Sequence, residues 1–156
     1  VPNWIYLFFN ALYHLGLALW IGGAVVLSAI VAPSLFSSFP RHQAIILMTP
    51  ILRRFARLRL GALLMILIGA GAKALIWERF ALTPLLAVRW GAIVLLAWAL
   101  LFDLLRTKRL VAFGAGIEPE AAPEDPRRLI YDLFYVRAEG LMKASVVAAF
   151  FALIFS

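Results

Sequence analysis

Tyr6, Asn10, His14, Lys73, Arg89, Glu139 and Lys143 are polar or charged residues set in or beside stretches that are otherwise largely apolar. An ionisable group at the centre of a bilayer costs about 3 kcal/mol or more unless it is paired or wetted, so such residues mark ion pathways, proton relays or ligand contacts. His14 has the widest repertoire: a ligand, a proton carrier or a substrate contact. Its plain alternative is a neutral imidazole bonded to Asn10 or to a neighbouring helix for packing. Lys73 lies one turn from Trp77 and either reaches the headgroups along its aliphatic stem or points into a bundle. Arg89 must reach the interface or find an acceptor, with Glu139, His14 or a bound anion as candidates. Glu139 and Lys143 stand four apart in the favourable order for a helical ion pair, and Asp103 is spaced to meet Arg106 or Thr107.

Other chemistry is poorly provided for. The chain has no cysteine, which removes disulfides, thiolate metal sites and cysteine nucleophiles. His42 has no second ligand at a useful spacing, so no metal site is expected there. No nucleophile, base and orienting group stand at recognisable intervals, so no catalytic residues are assigned and an enzyme is not the expected reading.

The elements that must position these residues are long and apolar. The chain has 156 residues, of which 65% are hydrophobic, well above the ~45–50% of soluble domains. The run from Trp4 to Val31 carries no formal charge. About 20 apolar residues at ~1.5 Å each cross a ~30 Å hydrocarbon layer, so this run reads as a membrane-spanning helix. It is too long for the apolar core of a signal peptide and lacks a basic leader, so it is expected to belong to the mature chain. Tyr6, Asn10, His14, Ala18 and Gly22 recur every fourth position and are expected to form one protein-facing stripe. Gly61, Met65, Gly69 and Lys73 make a second stripe on the next span.

The expected fold is an all-α integral membrane bundle of four transmembrane helices, forming a single domain over 1–156. The spans are placed at about 4–31, 58–77, 84–105 and 134–155. A short interfacial helix is expected between the first two, where Pro33, Pro40 and Pro50 should break the chain into short pieces. Asn3 is expected to cap the first helix, and Thr83-Pro84 and Asp125-Pro126 are cap and first-turn pairs for later ones. Arg53, Arg54, Arg57 and Arg59 read as anchors for lipid phosphates or for a cytoplasmic loop. Most of the positive charge, net +7 over the chain, falls in the loops at about 32–57 and 106–128. The positive-inside rule then puts those loops in the cytoplasm of a bacterial inner-membrane protein and both termini outside. The partners expected are the lipid bilayer and either another membrane protein or further copies of the chain. Nucleic acid is not expected, because no basic element is free of the membrane plane.

The run HLGLALWIGGAVVLSAIVAPSLFSSFPRHQA, followed by PILRRFARL, resembles a bacterial family of unknown function that is similar to eukaryotic transmembrane protein 205. The resemblance rests on Trp20, Gly22, Gly23, Val31, Ala32, Pro33, Phe36, Pro40, Arg41 and Ala44, and covers roughly the first 60 residues. Towards the end that family tends to carry a histidine where this chain has RAEGLMKAS. A fainter likeness runs to the copper-resistance D membrane domain and to the four-helix protoporphyrinogen oxidase, which place a histidine before a Trp and Gly pair as His14 stands before Trp20. These resemblances imply four helices, tolerance to metals or metal-based drugs, and haem as a candidate cofactor held by His14. The functions expected are binding or transport of a small ion or metal complex through the intramembrane polar cluster, motivated by Arg89, Glu139 and Lys143; a structural accessory subunit of a larger membrane complex, motivated by the small-residue faces; or a haem-binding redox protein that rests on His14 alone.

Overall fold

A computed structural model describes residues 2–78, 83–114, 140 and 142–156, and the side chains of those residues except 41, 42 and 106–114. Glu139, the Asp125-Pro126 pair and the start of the last expected span lie outside the described residues. No strand occurs among the described residues. Helix α1, Asn3–Val26, passes through a π turn at Leu27–Val31 into the short α2, Ala32–Ser38. Helix α3, Arg41–Lys73, ends in a second π turn at Ala74–Glu78. Helix α4 is Pro84–Gly114, and α5 is Met142–Ile154. The stretches Asn3–Ser38, Gln43–Glu78 and Pro84–Leu105 are long and apolar enough to cross a membrane, and α5 is a shorter apolar helix. The chain is an all-α bundle with the composition of a membrane-embedded protein.

The prolines act less sharply than their sequence positions suggest. Pro33 falls in the first turn of α2, where its missing N–H costs little. Pro50 lies inside α3, which runs unbroken from Arg41 to Lys73. The expected restart after Pro50 does not occur, because a helix in an apolar bundle keeps its remaining backbone bonds and has no water to lose them to. Serine and threonine hydroxyls support these stretches: Ser34 Oγ donates to the Ile30 carbonyl at 2.7 Å and Thr49 Oγ1 to that of Ile45 at 3.0 Å. The caps divide. Thr83 Oγ1 accepts from the Leu86 N–H at 3.3 Å, as a cap should. Pro2, not Asn3, holds the cap position of α1, and no side chain caps it.

Helices α1 and α3 pack antiparallel through glycine. A Cβ on Gly16 would lie 2.7 Å from the Ala62 carbonyl oxygen, and one on Gly69 would lie 2.7 Å from that of Phe9 and 2.8 Å from Tyr13 Cβ. Between these contacts Tyr13, Leu17 and Trp20 of α1 bury against Ala62, Ile66 and Ala70 of α3, Ile93 and Leu96 of α4, and Ala149 and Ala152 of α5. The buried face of α1 thus runs Tyr13, Leu17, Trp20, Ala24, Leu27. This differs from the expected stripe. Gly22 and Gly61 have open space where a Cβ would stand, and Ala18 and Gly22 are exposed.

The reason is the helical repeat. At 100° per residue, a four-residue step gains about 40° each time, so a stripe drawn from Tyr6 to Gly22 has rotated about 160° by its end. Its upper members meet the bundle and its lower members turn out of it.

Helix α5 is held to α1 by polar contacts of opposite sequence order. Tyr13 Oη donates to the Ala152 carbonyl at 2.7 Å, and Trp20 Nε1 to Ser145 Oγ at 3.3 Å. Interhelical hydrogen bonds in lipid average about 0.6 kcal/mol and reach about 1.7 kcal/mol. Tyr13→Phe keeps the ring and removes only the buried hydroxyl. It is expected to lower unfolding free energy by about 1 kcal/mol, near the middle of that range. Reversible unfolding in mixed micelles would measure this, and an unchanged midpoint would mean that the hydroxyl does not tie α5.

Candidate functional site

Two layers of buried polar chemistry lie about 14 residues apart along α3 and α4, roughly 20 Å by helical rise. The first contains most of the polar residues picked out by the sequence. Lys73 closes α3 with its side chain buried at 4% exposure, and its Nζ donates to Asn10 Oδ1 at 3.0 Å. The same ammonium lies 5.6 Å from the centroid of the Tyr6 ring and 5.5 Å from that of Tyr13. Tyr6 stands edge-on to Trp77 at 5.2 Å. Arg89, buried at 3%, makes a forked pair with Glu78, Nη1 to Oε1 at 2.8 Å and Nη2 to Oε2 at 2.5 Å.

The π turn after Lys73 explains how Glu78 reaches this layer. Bonding between residues five apart winds the chain more widely than an α-turn, so the residue five beyond Lys73 comes back towards its face. In a regular α-helix it would point about 140° away. Glu78 and Arg89 both act electrostatically on Lys73. The result is a buried layer with two cations and one carboxylate among the described residues. Each of the two cations is held by its own partner, and the Arg89 Nε has no hydrogen-bond acceptor among the described residues.

His14 sits at the margin of this layer and is half-buried. Its Nδ1 lies 2.7 Å from the Asn10 carbonyl oxygen and its Nε2 3.2 Å from Ser156 Oγ. Both ring nitrogens therefore lie within hydrogen-bond distance of a protein oxygen, an arrangement that suits helix tethering. No group of three or more His, Asp or Glu side chains is close enough to hold a metal among the described residues.

The second layer was not anticipated as a unit. Arg59 of α3 and Asp103 of α4 form a buried ion pair. The Arg59 guanidinium also lies 5.4 Å from the Trp20 ring centroid and 5.0 Å from that of Phe55. Its Nε and Nη1 are buried without an acceptor among the described residues. Arg59 thus separates from Arg53, Arg54 and Arg57, which are exposed. Asp103 reaches across to α3, and the side chains of Arg106 and Thr107 lie outside the described residues. Lys143 is exposed on α5. It does not join the Lys73 layer, since the antiparallel register sets Ser145 beside Trp20 and Ala152 beside Tyr13.

A signal for this pairing is present in the sequence. Arg59, Ile66 and Lys73 are spaced by seven, and so are Arg89, Leu96 and Asp103. Seven residues bring a helix nearly back to the same face, so each set marks one buried edge. Antiparallel packing then sets Arg59 against Asp103 and brings Lys73 level with Arg89.

Comparison with known proteins adds a family. Residues 15–114 match the family described as a domain of unknown function, DUF4149. No curated protein matches, and no solved structure matches. The family match agrees with the expectation of a family of unknown function, while the likeness to transmembrane protein 205 rests on the sequence motifs alone.

Proposed function

The chain belongs to the DUF4149 family, and for this membrane-embedded member we propose binding of a small anion at the layer formed by Asn10, Lys73, Glu78 and Arg89. One observation carries the reading. Two buried cations, Lys73 and Arg89, share that layer with a single carboxylate among the described residues. Lys73 is held by a neutral amide and two aromatic rings. Arg89 uses Glu78, so among the described residues the Lys73 charge has no carboxylate of its own. Surplus charge in a low-dielectric setting draws a counter-ion strongly. Tyr6 beside the layer is exposed, and Asn10 and Glu78 within it are half-buried.

An anion that binds the folded state raises its stability in a saturable way. Thermal unfolding of the detergent-purified chain, with nitrate exchanged for gluconate at constant ionic strength, should show a saturating rise in Tm. Lys73→Gln keeps a donor for Asn10 but removes the charge, and should abolish the rise. A response that is equal in both proteins, or absent in the unmodified one, would remove this reading.

A further inference from the structure

A groove runs along the outside of the α1–α3 contact, about 500 Å³ in volume. Ala18, Gly22 and Val26 of α1 form one wall, and Phe55 and Leu58 of α3 form much of the other. Its surface is apolar with one charged lining residue, Arg54. Gly22 opens its floor, since a Cβ there would meet nothing within 4 Å. Arg54 is exposed and lies within one helical turn of Arg57 and next to Arg53, so the groove opens towards the most basic stretch of α3.

The register places these parts at useful depths. Gly23 abuts Phe55, and Gly16 abuts Ala62. Arg54 therefore lies level with the end of α1 near Ala24, while Ala18 lies level with α3 residues near 60. The groove descends about 10 Å from the Arg54 level to the Ala18 level, by helical rise. A cation at one end and an apolar channel leading inwards match a phospholipid in both chemistry and order.

We propose that this groove holds one anionic phospholipid, with an acyl chain against Gly22 and Ala18 and the headgroup phosphate on Arg54. The charge complementarity selects anionic over zwitterionic lipid. The occupant is one bound molecule, distinct from the general attraction of a basic loop for a membrane surface. Gly22 contributes by absence: the missing side chain is the space the acyl chain uses.

The test is native mass spectrometry of the full chain released from micelles titrated with phosphatidylglycerol, phosphatidylcholine or inorganic phosphate. The unmodified protein should retain one phosphatidylglycerol about fivefold more tightly than phosphatidylcholine, as expected for about one basic contact. Arg54→Gln should reduce that preference to near unity, while Arg53→Gln, outside the groove, should leave it intact. Gly22→Phe should fill the groove and lose both lipids, and its open surroundings keep that variant foldable. Equal loss in Arg53→Gln and Arg54→Gln would overturn the proposal in favour of diffuse charge. Retention of lipid by Gly22→Phe would overturn the acyl-chain placement, and equal retention of inorganic phosphate, abolished by Arg54→Gln, would replace the lipid by a free anion.

Discussion

Asp103→Asn is expected to destabilise the bundle by about 3–5 kcal/mol, the usual result of removing one partner from a buried ion pair. The shape of the side chain is nearly kept, so the loss is electrostatic. Arg59 is 3% exposed and would be left as an uncompensated cation beneath Trp20 and Phe55. The two rings offset part of that, since a desolvated cation–π contact contributes about 2 kcal/mol, but they cannot replace a carboxylate. Denaturant unfolding in mixed micelles would measure the change, and a loss below about 1 kcal/mol would show that the pair is not what holds this layer.

The double variant Arg59→Met with Asp103→Leu tests the same point from the other side. Replacing both members of a buried pair by apolar residues is often neutral or stabilising. Here the pair is incompletely satisfied among the described residues, where Arg59 Nε and Nη1 have no acceptor. Recovery to the original stability or above is therefore the expected result. The stability of the single and double variants together separates the cost of an orphaned charge from the contribution of the pair itself.

The sequence was informative about what lies in the membrane and less so about which faces meet. Long apolar runs made the helices legible, because bilayer thickness constrains length directly. The sequence marks Tyr6, Asn10, His14, Lys73, Arg89, Glu139 and Lys143 as one intramembrane cluster, and of these the structure joins Lys73 directly to Asn10 across α1 and α3. Glu78 was missed. It stands at the edge of a span, and only the π turn swings it towards Arg89. Arg59 was grouped with its exposed neighbours because a run of four arginines reads as one basic patch. Its face is set by the heptad to Lys73, which reverses that grouping. Pro50 shows the same limit: proline is a strong local breaker in water, yet tertiary packing in an apolar bundle keeps α3 continuous through it.

Gly69→Val is expected to be the second severe variant, and it bears on how every other residue of the α1–α3 contact is placed. The added atoms have nowhere to go. The Cβ alone would lie 2.7 Å from the Phe9 carbonyl oxygen, 2.8 Å from Tyr13 Cβ and 2.9 Å from Tyr13 N. Two of these are backbone atoms of α1, so no rotamer change relieves them and the helices must part. In lipid there is no hydrophobic force to offset the lost contact, and close approach of small residues supplies much of the association. Overpacking of a tight core costs about 1–3 kcal/mol, and the upper end or more is expected where both obstacles are main chain. Parting the helices also moves Asn10 from Lys73, so the nitrate-dependent rise in Tm should fall along with stability. Gly61→Val is the matched control, on the same helix with open space at its Cβ. It should fold and respond to nitrate as the unmodified chain does. Equal stability of the two variants would mean that α1 and α3 do not meet at Gly69, and the register that aligns Arg59 with Trp20 and Lys73 with Asn10 would have to be redrawn.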